Sequence, residues 1–392
     1  MCLETTVDSK FDDGMKRFGI LGKVLVLAML ASCGGNVGGG GAVTPVTAAA
    51  ADQVAPRPVP KAAVRRPLSV AMTGDIMMGT LYPTSKLPVD DGRHLFDDVR
   101  EVLSGANVAV GNLEGAIGDR GELNDFKRSR LANGVKNIYA FRMPERYAPY
   151  LKQAGYDFVS MANNHSYDFG TGGQTTTRRA LDAAGVAYAG NPGHEMAVRE
   201  IDGVRYGFAA FGYNQQTVLM REEATVRRIV TALRDTADVV IVSFHGGGEG
   251  SEFRHVGKGM EYQHGEARGN LRRFAHLCID CGADVVYGHG PHVVRGVELY
   301  KSHFIAYSLG NFCTPTGISV AGITGYAPVI TVTINDKGEF VDGRIHSFIQ
   351  QRGVGPRATS SGAVVKEIRG LSEADFPQSP LVIEADGTLR RR

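Results

Sequence analysis

Apolar, β-branched runs in this chain repeatedly end in a short polar island that sets glycine beside Asp, Asn, Glu or His. The islands are Thr73-Gly74-Asp75, Gly111-Asn112-Leu113-Glu114-Gly115, Ala162-Asn163-Asn164-His165, Phe244-His245-Gly246-Gly247 and Gly288-His289-Gly290-Pro291-His292. Two more frame them, Tyr167-Asp168-Phe169-Gly170 and Tyr307-Ser308-Leu309-Gly310-Asn311-Phe312. Runs such as Leu68–Thr73, Val108–Val110, Phe158–Met161, Val204–Phe211, Val239–Phe244 and Asp284–Tyr287 read as buried strands, because β-branched and aromatic side chains suit a pleated surface. Later strands are expected at Phe304–Ser308, Pro328–Ile334 and Glu339–Phe348, and Asp202-Gly203 reads as a hairpin turn. Helical spacing falls between strands, at Arg93–Leu103, Glu145–Ala154, Gly173–Ala184, Thr225–Arg234 and Glu266–Asp280. Strand and helix in alternation predict an α/β fold. In such folds ligands bind beyond the carboxyl ends of the strands, where these islands stand. Each island alone has a plain explanation, as a core histidine or a turn aspartate. Five of them at strand ends point to one shared site.

The front of the chain is of another kind. Lys16 and Arg17 precede an apolar run, Phe18–Leu30, that is shorter than a membrane span and ends in Leu30-Ala31-Ser32-Cys33. This is the order of a secretory signal, and the ending resembles a bacterial lipobox, with Cys33 as the lipidated residue. Met15 gives a more compact signal than Met1 as the start. Gly34–Arg66 is rich in Gly, Ala, Val, Thr and Pro without periodicity, a composition that cannot offset its ordering entropy and reads as a tether. The expected organisation is therefore a signal over 1–33, a tether over 34–66, a domain over 67–350 and a C-terminal extension over 351–392.

Composition removes several classes. A formal net charge of +2 with no basic stripe argues against nucleic acid as a partner, and the absence of Trp leaves Tyr or Phe for any sugar stacking. The five cysteines do not form a disulfide scaffold. Cys2 precedes the signal, Cys33 is the anchor, and Cys278, Cys281 and Cys313 read as small apolar residues of the fold. His255, His264, His276 and His303 are away from strand ends and read as surface or core histidines. Gly257–Met260 reads as a loop near the site whose Lys258, with Arg254, would meet an anionic polymer.

The islands, in this order, resemble those of the CapA-type capsule or poly-gamma-glutamate synthesis proteins, the PGA_cap family within the calcineurin-like metallophosphoesterase superfamily. The similarity runs from about Leu68 to Phe312 and rests on Gly74-Asp75-Ile-Met-Met-Gly79, Asn112-Leu-Glu-Gly115, Ala162–Gly170, Gly288–Val293 and Tyr307–Phe312. It implies a four-layer fold, a two-sheet β-sandwich flanked by helices, and a role in making, exporting or anchoring an acidic extracellular polymer. Two positions depart from the superfamily pattern. Met77 stands where a ligand histidine is usual, and thioether suits hard divalent ions poorly. Asn112 stands where a bridging aspartate is usual, with Glu114 close by. The His245 island is glycine-rich through Gly250, which leaves Glu249 and Glu252 as additional carboxylates.

From position and resemblance together, Asn164, His245 and His289 are expected to hold one divalent ion. Asp75 and His292 are expected to hold a second, weaker one, with Asn112 or Glu114 between them. Imidazole with oxygen donors suits Mn, Fe or Zn. His165 is the expected general acid, because an imidazole titrates near neutral pH, and Asp168 the residue that orients it. These assignments imply a hydrolase acting on an anionic envelope polymer or a phosphorylated precursor, exported and lipid-anchored, with a membrane polymer-synthesis complex as a candidate partner. The alternative is a non-catalytic component of a polymer export complex that retains the fold.

Overall fold

In the opening strand Leu68–Ile76, Val70 and Met72 enter one core and Ala71 another. The same parity sends Val108 and Val110 one way and Ala109 the other, and Phe158 one way and Val159 the other. In a second sheet Val239 and Ile241 join the core of Val70, while Val240 and Val242 pack elsewhere. Strand side chains alternate between faces, so strands apolar at every position must be covered on both sides. The computed structural model, which describes residues 67–136 and 138–392, meets that demand with four layers. Cys33 and the expected signal and tether lie outside the described residues.

Among the described residues the first sheet has nine strands. Its order is Leu381–Ile383, Thr388–Arg391, Phe340–His346, Val329–Ile334, Leu68–Ile76, Val108–Leu113, Phe158–Ser160, Ala187–Ala189, with Asn311–Cys313 beside the end of the opening strand. The second has six, in the order Val297–Tyr300, His303–Ala306, Val285–His289, Val239–His245, Val204–Gly212, Met196–Ile201. Helices Arg100–Ser104, Ala148–Ala154 and Gly170–Ala184 cover the outer face of the first sheet through Leu103, Leu151 and Leu181. Helices Glu223–Thr236 and Leu271–Asp280 cover the second through Ile229, Leu233 and Phe274. The sheets meet face to face, Phe158 stacking on Phe208 at 4.6 Å between centroids. Across this core the Tyr287 hydroxyl donates to the Gly111 carbonyl at 3.1 Å. This is the expected α/β sandwich of two sheets between helices.

Three local expectations are corrected. Glu266–Gly269 is a strand paired with Glu261–Gln263, and the helix starts only at Leu271. Gly269 takes φ 112° and the Asn270 side chain accepts from the Arg273 amide, a capping geometry that fixes the start. Arg93–Val99 runs through tight turns, with Val99 N donating to Phe96 O at 3.1 Å, and only Arg100–Ser104 is α-helical. The boundary at 350 is absent. Phe348–Gln351 pairs with Gly355–Ala358, Thr388–Arg391 extends the first sheet, and helix Ala363–Asp375 puts Val364 and Ile368 into the inter-sheet core. The reason is edge protection: Phe340–His346 would otherwise present an unpaired edge. Asp202 and Gly203, at φ 50° and 77°, form the expected hairpin turn joining Ile201 to Val204. Cys278 and Cys313 are buried free thiols.

Leu389 is fully buried in the core shared by the two sheets. Leu389→Ala should therefore destabilise the domain by about 2–5 kcal/mol, the usual cost of such a cavity. Unchanged denaturant midpoints would return residues 351–392 to the status of an appendage.

Candidate metal centre

Register lines up the polar strand ends. In the first sheet Asn311, Asp75, Asn112 and Ser160 sit side by side on adjacent parallel strands. In the second, His289 lies opposite His245 and His245 opposite Gly212. The two rows meet, with Glu114 Oε2 3.6 Å from His245 Nδ1 and Asp75 Oδ1 3.9 Å from His289 Nδ1. Gly74 makes the approach possible, because a Cβ there would stand 1.9 Å from the Gly310 carbonyl oxygen. That carbonyl accepts from the Asp75 amide at 2.9 Å.

Asp75, Asn112, Glu114 and His289 are 0% exposed and His245 is 1% exposed. The Asn112 amide nitrogen donates to Asp75 Oδ1 at 2.8 Å and to Glu114 Oε2 at 2.6 Å. Its oxygen accepts from the Asn163 side chain at 3.0 Å. The sequence places Asn112 among the ligands; here it clamps two carboxylates, its polar atoms engaged on both sides. His292, held by a turn at φ 58°, places Nδ1 3.0 Å from Asp75 Oδ2 and 2.9 Å from Asn311 Oδ1. His245 Nδ1 and His289 Nδ1 are 2.9 Å apart, and His289 Nε2 is 2.8 Å from the Ser243 hydroxyl. A His289 Nε2–H donating to Ser243 leaves Nδ1 with its lone pair toward the centre.

Burial governs the charges. It pushes the Glu114 carboxyl well above the usual range, and the nearby Asp75 charge adds to the effect. Burial and then His289 hold His245 well below its ordinary value, and burial lowers His289 to about 4 against the pull of Asp75. For His292 burial acts downward, but the Asp75 hydrogen bond and charge outweigh it and raise the group to about 9. His245 and His289 are thus neutral at neutral pH, the form that ligates metal.

The residues fit a divalent cation. Asp75, His245 and His289 each offer a ligand atom, all within 4.8 Å of one another. Glu114 Oε1 and Asn164 Oδ1 are buried oxygens without a hydrogen-bond partner, and buried acceptors are rarely left so. The arrangement differs from the expected division into two ligand sets. One Asp75 oxygen faces His289 and the other faces His292, so a single carboxylate serves both.

Beside the centre, His165 Nδ1 lies 2.9 Å from Asp168 Oδ2, which also accepts from the Phe141 amide at 2.8 Å. Lys127 forms an ion pair with the other Asp168 oxygen. Burial lowers the His165 imidazole, with Asp168 opposing. A cavity of about 550 Å³ opens here, lined by the expected Asn164, His165 and His292 and also by Lys127, Arg130, Glu249 and His264. Arg254 and Lys258, expected to reach a polymer, are not among its lining residues. Arg254 pairs instead with Glu367 at 3.5 Å. Ser243, Asn163, Asn311 and Lys127 were not assigned from sequence. Ser243 lies two residues before His245, on the same strand face, so strand parity would have found it. Lys127 sits on a helix, Asp125–Ala132, that buries none of its residues, and carries no such signal.

A family model for the bacterial capsule synthesis protein PGA_cap matches residues 69–316. The capsule biosynthesis protein CapA of Bacillus anthracis is 29% identical over 271 residues, covering 64% of this chain and 60% of that protein. The PGA biosynthesis protein CapA of Bacillus subtilis (strain 168) is 26% identical over 267 residues, 64% of each chain. The chain thus spans less than two thirds of the length of these relatives. Among solved structures, a hypothetical protein from Thermus thermophilus superposes with TM-score 0.45 at 16% identity, over 72% of this chain and 99% of that one.

Because the folded chain binds the Glu114 proton more tightly than the unfolded chain, this group stabilises at acid pH. That contribution is lost as pH rises from the unfolded value toward the folded one. Glu114→Gln should then raise the melting temperature of metal-free protein at neutral pH, by the equivalent of about 1–3 kcal/mol. The same variant should shrink the rise in melting temperature caused by added Mn or Zn. A melting series with and without metal tests both signs, and a metal-free variant that melts lower than wild type would remove Glu114 from the strained set.

Proposed function

The chain belongs to the PGA_cap family of bacterial capsule synthesis proteins, and from that premise we propose that it acts on an acidic capsule-type polymer of the cell envelope, as a metal-dependent hydrolase. The observation that carries this reading is the convergence of Asp75, His245 and His289 beside two unpartnered buried oxygens. Relatives named for capsule and PGA biosynthesis supply the polymer class. Asp75, His245 and His289 would hold the ion, with Glu114, Asn164 and His292 adjoining. A divalent ion bound there would polarise a phosphoryl or carbonyl oxygen.

The chain's own residues supply the rest. Asp168, fixed by the Phe141 amide and Lys127, holds His165 through Nδ1. Among the described residues nothing binds the second ring nitrogen, and the ring lines the cavity. In this reading His165 gives its proton to the leaving oxygen or nitrogen as water adds and the polymer bond breaks. Phe141, with its ring 4.4 Å from that of His165, shields the imidazole on one side. Lipidation at Cys33 would keep the domain at the envelope surface, on the outer or periplasmic side.

One observation favours a second reading, a non-catalytic part of a polymer export complex. Met77 is fully buried and stands where the superfamily pattern has a histidine, and a thioether suits hard divalent ions poorly.

His289→Ala should abolish metal retention measured by elemental analysis. His165→Ala should keep the metal but lower hydrolysis of phosphodiester or phosphomonoester substrates by about 10²–10⁴-fold. Metal-loaded wild type without hydrolysis, together with intact polymer secretion in the His165→Ala strain, would establish the second reading. Cys33→Ala should move the protein from the membrane fraction to the soluble fraction; its continued sedimentation with membranes would remove the lipid anchor.

A further inference from the structure

Three side chains of one hairpin, Glu261–Gln263 paired with Glu266–Gly269, hold the glycine-rich loop that follows His245. Glu261 Oε2 accepts from the Gly248 amide at 2.9 Å. The Gln263 side chain brackets the next residue: its oxygen accepts from the Glu249 amide at 2.7 Å and its nitrogen donates to the Glu249 carbonyl at 3.0 Å. Arg268 reaches the Glu249 carboxylate itself, at 2.8 Å. Behind the loop Arg295, fully buried, is bidentate with Glu261 at 2.8 and 2.9 Å. A Cβ on Gly247 would stand 2.9 Å from that guanidinium, so the loop is glycine where the pair lies.

Taking an arginine out of water costs several kcal/mol, yet two are buried here in support of one loop. Arg268 is 5% exposed, lies over the Tyr213 ring at 4.3 Å and pairs with both Glu249 and Glu266. A glutamate facing bulk solvent needs no such support. Glu249 instead lines the metal-site cavity with Asn164, His165 and His292, and its charge adds to the upward pull on Glu114 and His292. Arg268 engages Oε1 alone; among the described residues Oε2 has no hydrogen-bond partner.

The cavity thus carries both signs of charge. Arg130 lines it with no ion-pair partner among the described residues, and Tyr139 and Phe141 add ring faces. A carboxylate in the company of aromatic rings suits a protonated amine. The same carboxylate disfavours a ligand that is anionic at every unit.

We propose that Glu249 is a specificity-determining residue that binds a protonated amine of the substrate, so that the unit acted on carries an ammonium group a few bonds from the group presented to the metal centre. The inference rests on the cavity being the substrate site of the proposed hydrolase, and it narrows that reading to amine-bearing units or chain ends.

The test is calorimetric titration of the full chain, with Mn added, using 2-aminoethylphosphonate and ethylphosphonate. The two probes differ by the amine alone. The carbon–phosphorus bond of each resists hydrolysis, so binding is read whether or not the protein is a hydrolase. Wild type should bind the amine at least about tenfold more tightly, as a hydrogen bond between charged groups predicts. Glu249→Gln should bring the ratio close to one. Glu252→Gln, three residues on and outside the cavity lining, should leave the ratio as in wild type. A preference for the amine in a protein that cleaves no phosphate ester would keep the amine site and sink the hydrolase reading alone. Equal binding of the two probes by wild type, or binding of neither, would overturn the inference. So would a ratio that survives Glu249→Gln or falls in Glu252→Gln, or a Glu249→Gln chain that does not fold.

Discussion

One side-chain amide sets the problem that the rest of the centre answers. Asn112 holds Asp75 and Glu114 to the same nitrogen, in a place from which water is excluded. Two carboxylates cannot both remain charged in such surroundings without a compensating cation, since desolvation costs several kcal/mol per ion. The chain answers in part by raising the proton affinity of Glu114 and in part with His292 on Asp75. What remains is a set of neutral imidazoles and unpartnered oxygens turned to one point. An apolar core would have been the more stable filling, so the arrangement is held for what it binds.

The sandwich is what makes the point common to both sheets. Each sheet delivers one row of strand-end residues, carboxylate and amides from the first, imidazoles from the second. Neither row is a ligand set alone. The Phe158–Phe208 stack and the Tyr287–Gly111 hydrogen bond fix the separation of the sheets, and with it the few ångströms between Glu114 and His245. Packing far from the centre thus has the same standing as its ligands.

Much of this could be read from the chain because strand parity is a local property. Apolar runs followed by Asp75, Asn112, His245 and His289 located the strand ends, and a shared end of the sheets follows from parallel neighbours. The resemblance added the order of layers. The division of ligands was not legible, because it depends on how the two rows interleave across the sandwich, which no spacing encodes. Asn112 shows this: its place in the motif put it among the ligands, but nothing in the spacing told that its amide nitrogen would lie between Asp75 and Glu114. The misread helix at Glu266 turned on one glycine at positive φ and one capping asparagine. The C-terminal strands were missed because their pairing partner, Phe340–His346, is remote in sequence from the site that guided the reading.

The pairing of the opening strand bears on how the molecule comes into being. Leu68–Ile76 has Val108–Leu113 on one side but Val329–Ile334 on the other, and that neighbour waits in turn for Phe340–His346 and Thr388–Arg391. The loop between the first pair of partners is most of the domain, and closing it must precede any gain from the contacts it allows. A chain emerging from its amino end cannot complete the middle of its first sheet until nearly all of it has emerged. Before that moment Asp75 has no Asn311 beside it and no His292 on its carboxylate. The centre is therefore among the last parts of the protein to exist, and a metal ion that binds it selects only finished molecules.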